Sequence, residues 1–301
     1  MTMTLALTLI FSVAIGLSLG LLGGGGSILT VPILAYVAGL EAKEAIAASL
    51  FVVGVTSAVG VVSHARQGRV RWRTGLIFGA AGMAGALGGG LLGGHLPGQL
   101  LMVAFALMML ATATAMIRGR RDPKAPSTTG ELPVLKVIAE GLVVGLVTGI
   151  VGAGGGFLVV PALALLGGLP MSVAVATSLL VIAMKSFAGL AGYLTSVELD
   201  WALVLAVTAA AIVGSLLGAR LAGVIPEKAL RKGFGYFVLT MGVFVLAQEV
   251  PHPFGLAIAG AAVVIAAAVA ACYFLVPGCP LRRSAAADDD RDRAAESEPT
   301  R

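Results

Sequence analysis

The sequence predicts an all-α integral membrane protein made of two inverted-topology repeats of about five apolar segments each, plus one extra C-terminal span. Three observations carry that prediction. Hydrophobic residues make up 58% of the 301 and charged ones 12%, and apolar runs near membrane-spanning length recur from end to end. A shift of 129 positions lays residues 16–97 over 145–226 without a gap, with identity at 30 of 82 places. The polar link before Trp72 is basic (Arg66, Arg69, Arg71), whereas the link before Trp201 is acidic (Glu198, Asp200). Lysine and arginine are retained on the cytoplasmic side, so this contrast turns the two copies upside down relative to each other.

In the first copy the segments run over 3–22, 28–38, 43–63, 73–94 and 98–117. The run 3–22 lacks a positive leading stretch, and its end recurs inside the second copy, so it reads as a retained membrane segment rather than a cleaved leader. Segment 28–38 follows a glycine cluster and carries Pro32. Eleven helical residues reach only about 16 Å, so it forms a broken pair with the first segment, spanning or re-entrant. Segment 43–63 ends at the basic link, 73–94 starts beside Trp72, and 98–117 ends at Arg118, Arg120 and Arg121. The second copy repeats the order over 135–151, 157–167, 171–194, 201–223 and 233–248, with Pro161 in its short segment. A run over 254–276 has no counterpart. Gly16/Gly20, Gly85/Gly89, Gly141/Gly145/Gly149 and Gly214/Gly218 are small-xxx-small sets that allow helix backbones to approach closely.

These segments divide the chain into a membrane repeat over 1–117, a cytoplasmic linker over 118–134, a second membrane repeat over 135–250, an extra span over 251–276 and a disordered cytoplasmic tail over 277–301. The linker holds Pro123, Pro126, Ser127 and Gly130, and the tail carries Asp288, Asp289 and Asp290. Basic links follow the third and ninth segments and separate the copies, while 93–98, 195–200 and 248–253 contain no Lys or Arg. That count places the N-terminus outside and the C-terminus in the cytoplasm of a multi-pass plasma-membrane protein.

The net charge of +5 sits in short links rather than on an aromatic-basic surface, so no nucleic-acid partner is expected and the lipid bilayer is. Cys272 and Cys279 lie outside both repeats without metal-ligand spacing, so neither a metal nor a cofactor is expected. No HExxH, GxSxG or buried carboxylate pair occurs, which argues against an enzyme and leaves no catalytic residues to name. Oligomeric state has no signal in the sequence.

The candidate binding residues are polar or backbone groups that fall inside apolar segments. Gly23, Gly24, Gly25 and Gly26, with Gly152, Gly154, Gly155 and Gly156, break the first helix of each copy. Freed backbone N–H groups there can face an anion; the alternative is close packing or a hinge. No Gly-Lys-Ser/Thr follows either cluster, so a nucleotide loop is excluded. Lys185 lies fourteen residues into its segment, where a charge costs about 2.5–3.5 kcal/mol, and no Asp or Glu lies at similar depth. An anionic ligand would pair with it; the alternative is an ammonium that snorkels outward. Ser178, two helical turns before Lys185, and Thr177 are hydroxyl candidates, with Ser49 as the equivalent of Ser178 in the first copy. Such hydroxyls either hold an oxyanion or bond their own helix. Trp72 and Trp201 read as interfacial anchors.

The glycine-rich stretches running into Val-Pro, followed by Ala47-Ala-Ser-Leu50 and Ala176-Thr-Ser-Leu179, resemble the sulfite exporter TauE/SafE family. The likeness spans about residues 8–248. It implies a polytopic permease for a small sulfur-containing anion such as sulfite or a sulfonate. Alternating access at a midplane site, lined by the glycine clusters, Ser49, Thr177, Ser178 and Lys185, is the corresponding mechanism. A membrane-embedded sensor or scaffold acting through its tail, or a carrier of an unrelated small anion, are the alternatives.

Overall fold

The described segments fold into α-helix, as a chain with few polar side chains must in lipid, where each backbone group has to be satisfied within its own segment. The structure is a computed structural model that describes residues 2–22, 27–66, 68–118, 134–152, 156, 159–160, 163, 171–221 and 227–250. Nine helices are delimited among these residues: α1 (Thr2–Leu22), α2 (Thr30–Tyr36), α3 (Ala42–Arg66), α4 (Trp72–His95), α5 (Gly98–Arg118), α6 (Val134–Val151), α7 (Met171–Tyr193), α8 (Trp201–Leu221) and α9 (Glu227–Glu249). No strand occurs among the described residues. Five of the helices (α1, α3, α4, α7 and α8) are long and apolar enough to cross a membrane. All nine belong to one unit, Met1–Glu249. The predicted span over 254–276, the tail and most of the linker lie outside the described residues, as do most of 157–167.

The helix boundaries follow the sequence signals closely. α2 is short, as its length predicted, and Pro32 in its first turn has no N–H to leave unpaired. Asp200 caps α8, accepting from the N–H groups of Ala202 and Leu203 at 3.0 and 3.3 Å. α6 stops because Gly152 takes φ +70°, a left-handed turn open to glycine, while its N–H donates to the carbonyl of Thr148 at 2.9 Å.

The helices pack through their glycines, and the contacts between the first helix of each repeat and the fourth helix of the other come in two copies. A Cβ on Gly16 or Gly20 would collide with the α8 backbone at Ala211 and Ser215. The residues 129 positions later behave alike: Gly145 and Gly149 abut the α4 backbone at Gly82 and Ala86. Conversely, Gly85 and Gly89 press on Leu142 and Leu146 of α6, as Gly214 and Gly218 press on Val13 and Leu17 of α1. Glycine allows this approach because nothing stands between the two backbones, and dispersion and Cα–H···O contacts replace side-chain interdigitation. The first helix of each repeat therefore lies against the fourth helix of the other. Residue numbers rise together across both contacts, so α1 runs parallel to α8 and α6 parallel to α4.

The third helices, α3 and α7, cross antiparallel. Leu179 packs on Gly60 and Leu50 on Gly189, again a pair related by 129 positions. The crossing is centred between these contacts, around Thr56 and its equivalent Lys185. At one end of the bundle, Lys43 Nζ donates to the Gly94 carbonyl at 2.8 Å, Tyr36 donates to Glu249 at 2.9 Å, and Tyr193 donates to the Ile150 carbonyl at 2.5 Å. At the other end, the Arg71 N–H donates to Thr177 Oγ1 at 3.1 Å. Trp72 and Trp201 are 51% and 44% exposed at the starts of their helices, as interfacial anchors require. The main core gathers α2, α3, α5 and the ends of α7 and α9 around Ile28, Leu34, Leu50, Phe105, Met109 and Val245.

Candidate functional site

Helices α3, α4, α6 and α7, two from each repeat, meet around Lys185. Its side chain is 2% exposed and Nζ donates to Thr148 Oγ1 at 3.0 Å. Thr148 donates its own O–H to the α6 backbone, hydrogen-bonding the carbonyl of Val144 at 2.7 Å, with that of Gly145 also in reach at 3.2 Å. The hydroxyl oxygen is therefore turned toward the ammonium as an acceptor. No carboxylate pairs with Lys185 among the described residues. One neutral hydroxyl offsets little of the desolvation of a buried ammonium, which amounts to several kcal/mol in a protein interior. The arrangement is a buried lysine amine in largely apolar surroundings whose hydrogen-bond partner among the described residues is the Thr148 hydroxyl.

The gap beside this ammonium is lined by Leu50, Ala86, Thr148, Gly149, Lys185 and Ser186. It is too narrow to admit a water molecule. Lys185 and Ser186, which border the gap, are themselves buried at 2% and 0% exposure.

The other sequence candidates lie around this centre rather than together in it. Ser49 donates to the Gly152 carbonyl at 2.7 Å, with the Ile46 carbonyl at 3.0 Å, tying the end of α6 to α3. Ser178 donates to the Val175 carbonyl at 2.7 Å, and Thr177 receives the Arg71 N–H. All three hydroxyls are buried and already partnered. Leu50 sits at Gly189 and Leu179 at Gly60, so the neighbouring Ser49 and Ser178 are separated by about ten residues of α7, roughly 15 Å. Lys185 stands between them. Gly156 is helical and buried, while Gly23, Gly24, Gly25, Gly26, Gly154 and Gly155 lie outside the described residues.

One group at the centre, Thr148, did not stand out from the sequence as a candidate. The repeat itself carries the missing signal. Subtracting 129 turns Lys185 into Thr56 and Thr148 into Leu19, so the second copy is the more polar at both positions. No group of three or more His, Cys, Asp or Glu residues that could hold a metal ion occurs among the described residues.

Comparison with known proteins identifies the family. The family model described as Sulfite exporter TauE/SafE matches residues 8–245. A probable membrane transporter protein of Xylella fastidiosa (strain 9a5c) is 34% identical over 239 residues, covering 77% of this chain and 91% of that protein. A probable membrane transporter protein of Methanocaldococcus jannaschii is 29% identical over 259 residues, covering 80% and 95%. The probable membrane transporter protein YunE of Bacillus subtilis is 30% identical over 240 residues, covering 71% and 88%. No solved structure matches the chain. The chain belongs to the sulfite exporter TauE/SafE family, whose members are membrane transporters rather than enzymes.

Proposed function

We propose that this protein carries a small sulfur-containing anion, sulfite or a sulfonate, across the plasma membrane by alternating access between two inverted halves. The observation that carries the reading is the buried ammonium of Lys185, which has a hydroxyl neighbour and no acidic partner among the described residues. A carrier of cations would need buried carboxylates instead. The family match supports a sulfur oxyanion as the class of cargo.

Each repeat contributes helices to the closed centre: α3 and α4 from the first, α6 and α7 from the second. The doubled glycine contacts support a pseudo-two-fold relation between the halves, and the basic and acidic links support opposite orientation in the membrane with the N-terminus outside. In this reading the gap at Lys185 is the occluded midpoint of the route. Ser49 and Gly152 line the side toward Tyr193. Thr177 and Ser178 line the side toward Arg71, and the glycine clusters that break the first helix of each copy are proposed to add backbone N–H groups to the route.

The test is sulfite and methanesulfonate flux into proteoliposomes for the wild type and Lys185→Ala, at matched reconstitution. The expected result is flux in the wild type and its loss in the variant. Equal flux in both removes Lys185 from the route.

A further inference from the structure

Ser57 and Ser186 are related by the 129-residue shift, are 1% and 0% exposed, and have hydroxyl oxygens with no hydrogen-bond partner. Thr30, at the start of the short α2, is a further buried helical hydroxyl without a partner among the described residues, whereas several deep within the long helices behave differently. Ser12, Thr56, Thr148, Ser178 and Thr208 each donate to a carbonyl three or four residues earlier, the usual resolution for a hydroxyl in an apolar helix. Two serines at equivalent positions that forgo this bond require another explanation, because a buried hydroxyl without a partner opposes folding.

Their surroundings separate them. Ser186 borders the same closed gap as Lys185 and Thr148, which is too narrow for a water to satisfy its hydroxyl. Ser57 follows Thr56, which bonds its own helix, and the position equivalent to Thr148 is Leu19. The first repeat thus keeps the hydroxyl without the cation. The second brings a hydroxyl and an ammonium to one gap.

We infer that Ser186 is a binding residue for an oxyanion: its O–H donates to one oxygen of the ligand while the Lys185 ammonium takes another. Two donors of different kind at one gap match a ligand with several oxygens on one centre, the chemistry of sulfite and of a sulfonate group. This inference deepens the transport reading above and rests on it. Ser57, which does not border that gap, serves as the matched internal control.

The experiment is titration of the purified full-length protein with sulfite and with methanesulfonate, following both affinity and thermal unfolding. Ser186→Ala is expected to weaken binding roughly tenfold or more, the range for losing a hydrogen bond to a charged group. Its unfolding temperature without ligand is expected to equal or exceed that of the wild type, since no protein hydrogen bond is removed. Ser57→Ala is expected to leave affinity within about twofold, since Ser57 does not border the gap at Lys185. Ser186→Cys, nearly the same size but a weaker donor, is expected to weaken binding at wild-type stability, and it carries the test if the alanine variant fails to fold. Wild-type affinity in Ser186→Ala or Ser186→Cys, together with loss of binding in Lys185→Ala, overturns this inference and leaves the transport reading standing. Binding that survives in both Lys185→Ala and Ser186→Ala, or that is absent from the wild type, overturns both.

Discussion

Lys185 donates to Thr148 at 3.0 Å across the α6–α7 contact, and the same two places in the first repeat hold Thr56 and Leu19. The framework is doubled but the polar pair is not. A fold that repeats its packing so closely has confined its charge to one half, and the predictions below separate framework from charge.

Replacing Lys185 with Met retains much of the buried stem and removes the ammonium. Exchanging a buried ion for an apolar group of similar volume is often neutral or stabilising, by about 1–4 kcal/mol. The Lys185→Met protein is therefore expected to unfold at or above the wild-type temperature while losing sulfite binding. Thr148→Val keeps the shape and removes the acceptor, so it is expected to lower stability by about 1–3 kcal/mol. Thermal melts followed by tryptophan fluorescence check both.

Gly16→Ala and Gly145→Ala each place a methyl group against the backbone of a helix from the other repeat. Both are expected to destabilise by about 1–3 kcal/mol, since neither α8 nor α4 can yield without moving a whole helix. Gly88→Ala meets only a Leu146 methyl at 3.9 Å and is expected to be tolerated. Monodispersity on size-exclusion chromatography and denaturant midpoints distinguish the two classes. Equal tolerance of all three would show that the close helix contacts do not form.

Tyr193→Phe removes the hydroxyl that holds the end of α7 to the Ile150 carbonyl. The expected cost is about 1 kcal/mol, and more if the carbonyl is left without a partner. Hydrogen–deuterium exchange should rise at the C-terminal turns of α6 and α7 and remain unchanged at α1. No change at either turn would mean that the bond does not hold the two helices.

Membrane topology is tested by thiol labelling in a background lacking Cys272 and Cys279. Arg66→Cys and Glu198→Cys, both at exposed positions, are expected to react from opposite sides in intact cells. Labelling from a common side would rule out inverted halves.

Much of this architecture is legible in the sequence because membrane helices announce themselves by length and composition. The boundaries of α3, α4, α7 and α8 fall within about three residues of the apolar segments, where charged or turn residues end each run. The helix contacts are legible for a related reason: glycine at four-residue spacing has few other uses in a span, and Gly16, Gly20, Gly145 and Gly149 all meet a partner backbone. The site is only partly legible. Lys185 stands out by its charge, whereas Thr148 resembles any serine or threonine bonded to its own helix until α7 is laid beside α6. Ser49 and Ser178 look equivalent to ligand hydroxyls along the chain, and their commitment to carbonyls emerges only in three dimensions.

The exchange of helices between repeats bears on how the chain is made. While residues 1–118 leave the ribosome, α1 and α4 have no surface of their own half to receive their glycine faces, for those faces fit α8 and α6. The N-terminal half must wait in the bilayer, lipid against bare backbone, until its later twin is threaded in beside it. Severing the gene at the linker should yield two fragments that are each unstable alone and that recover when synthesised together.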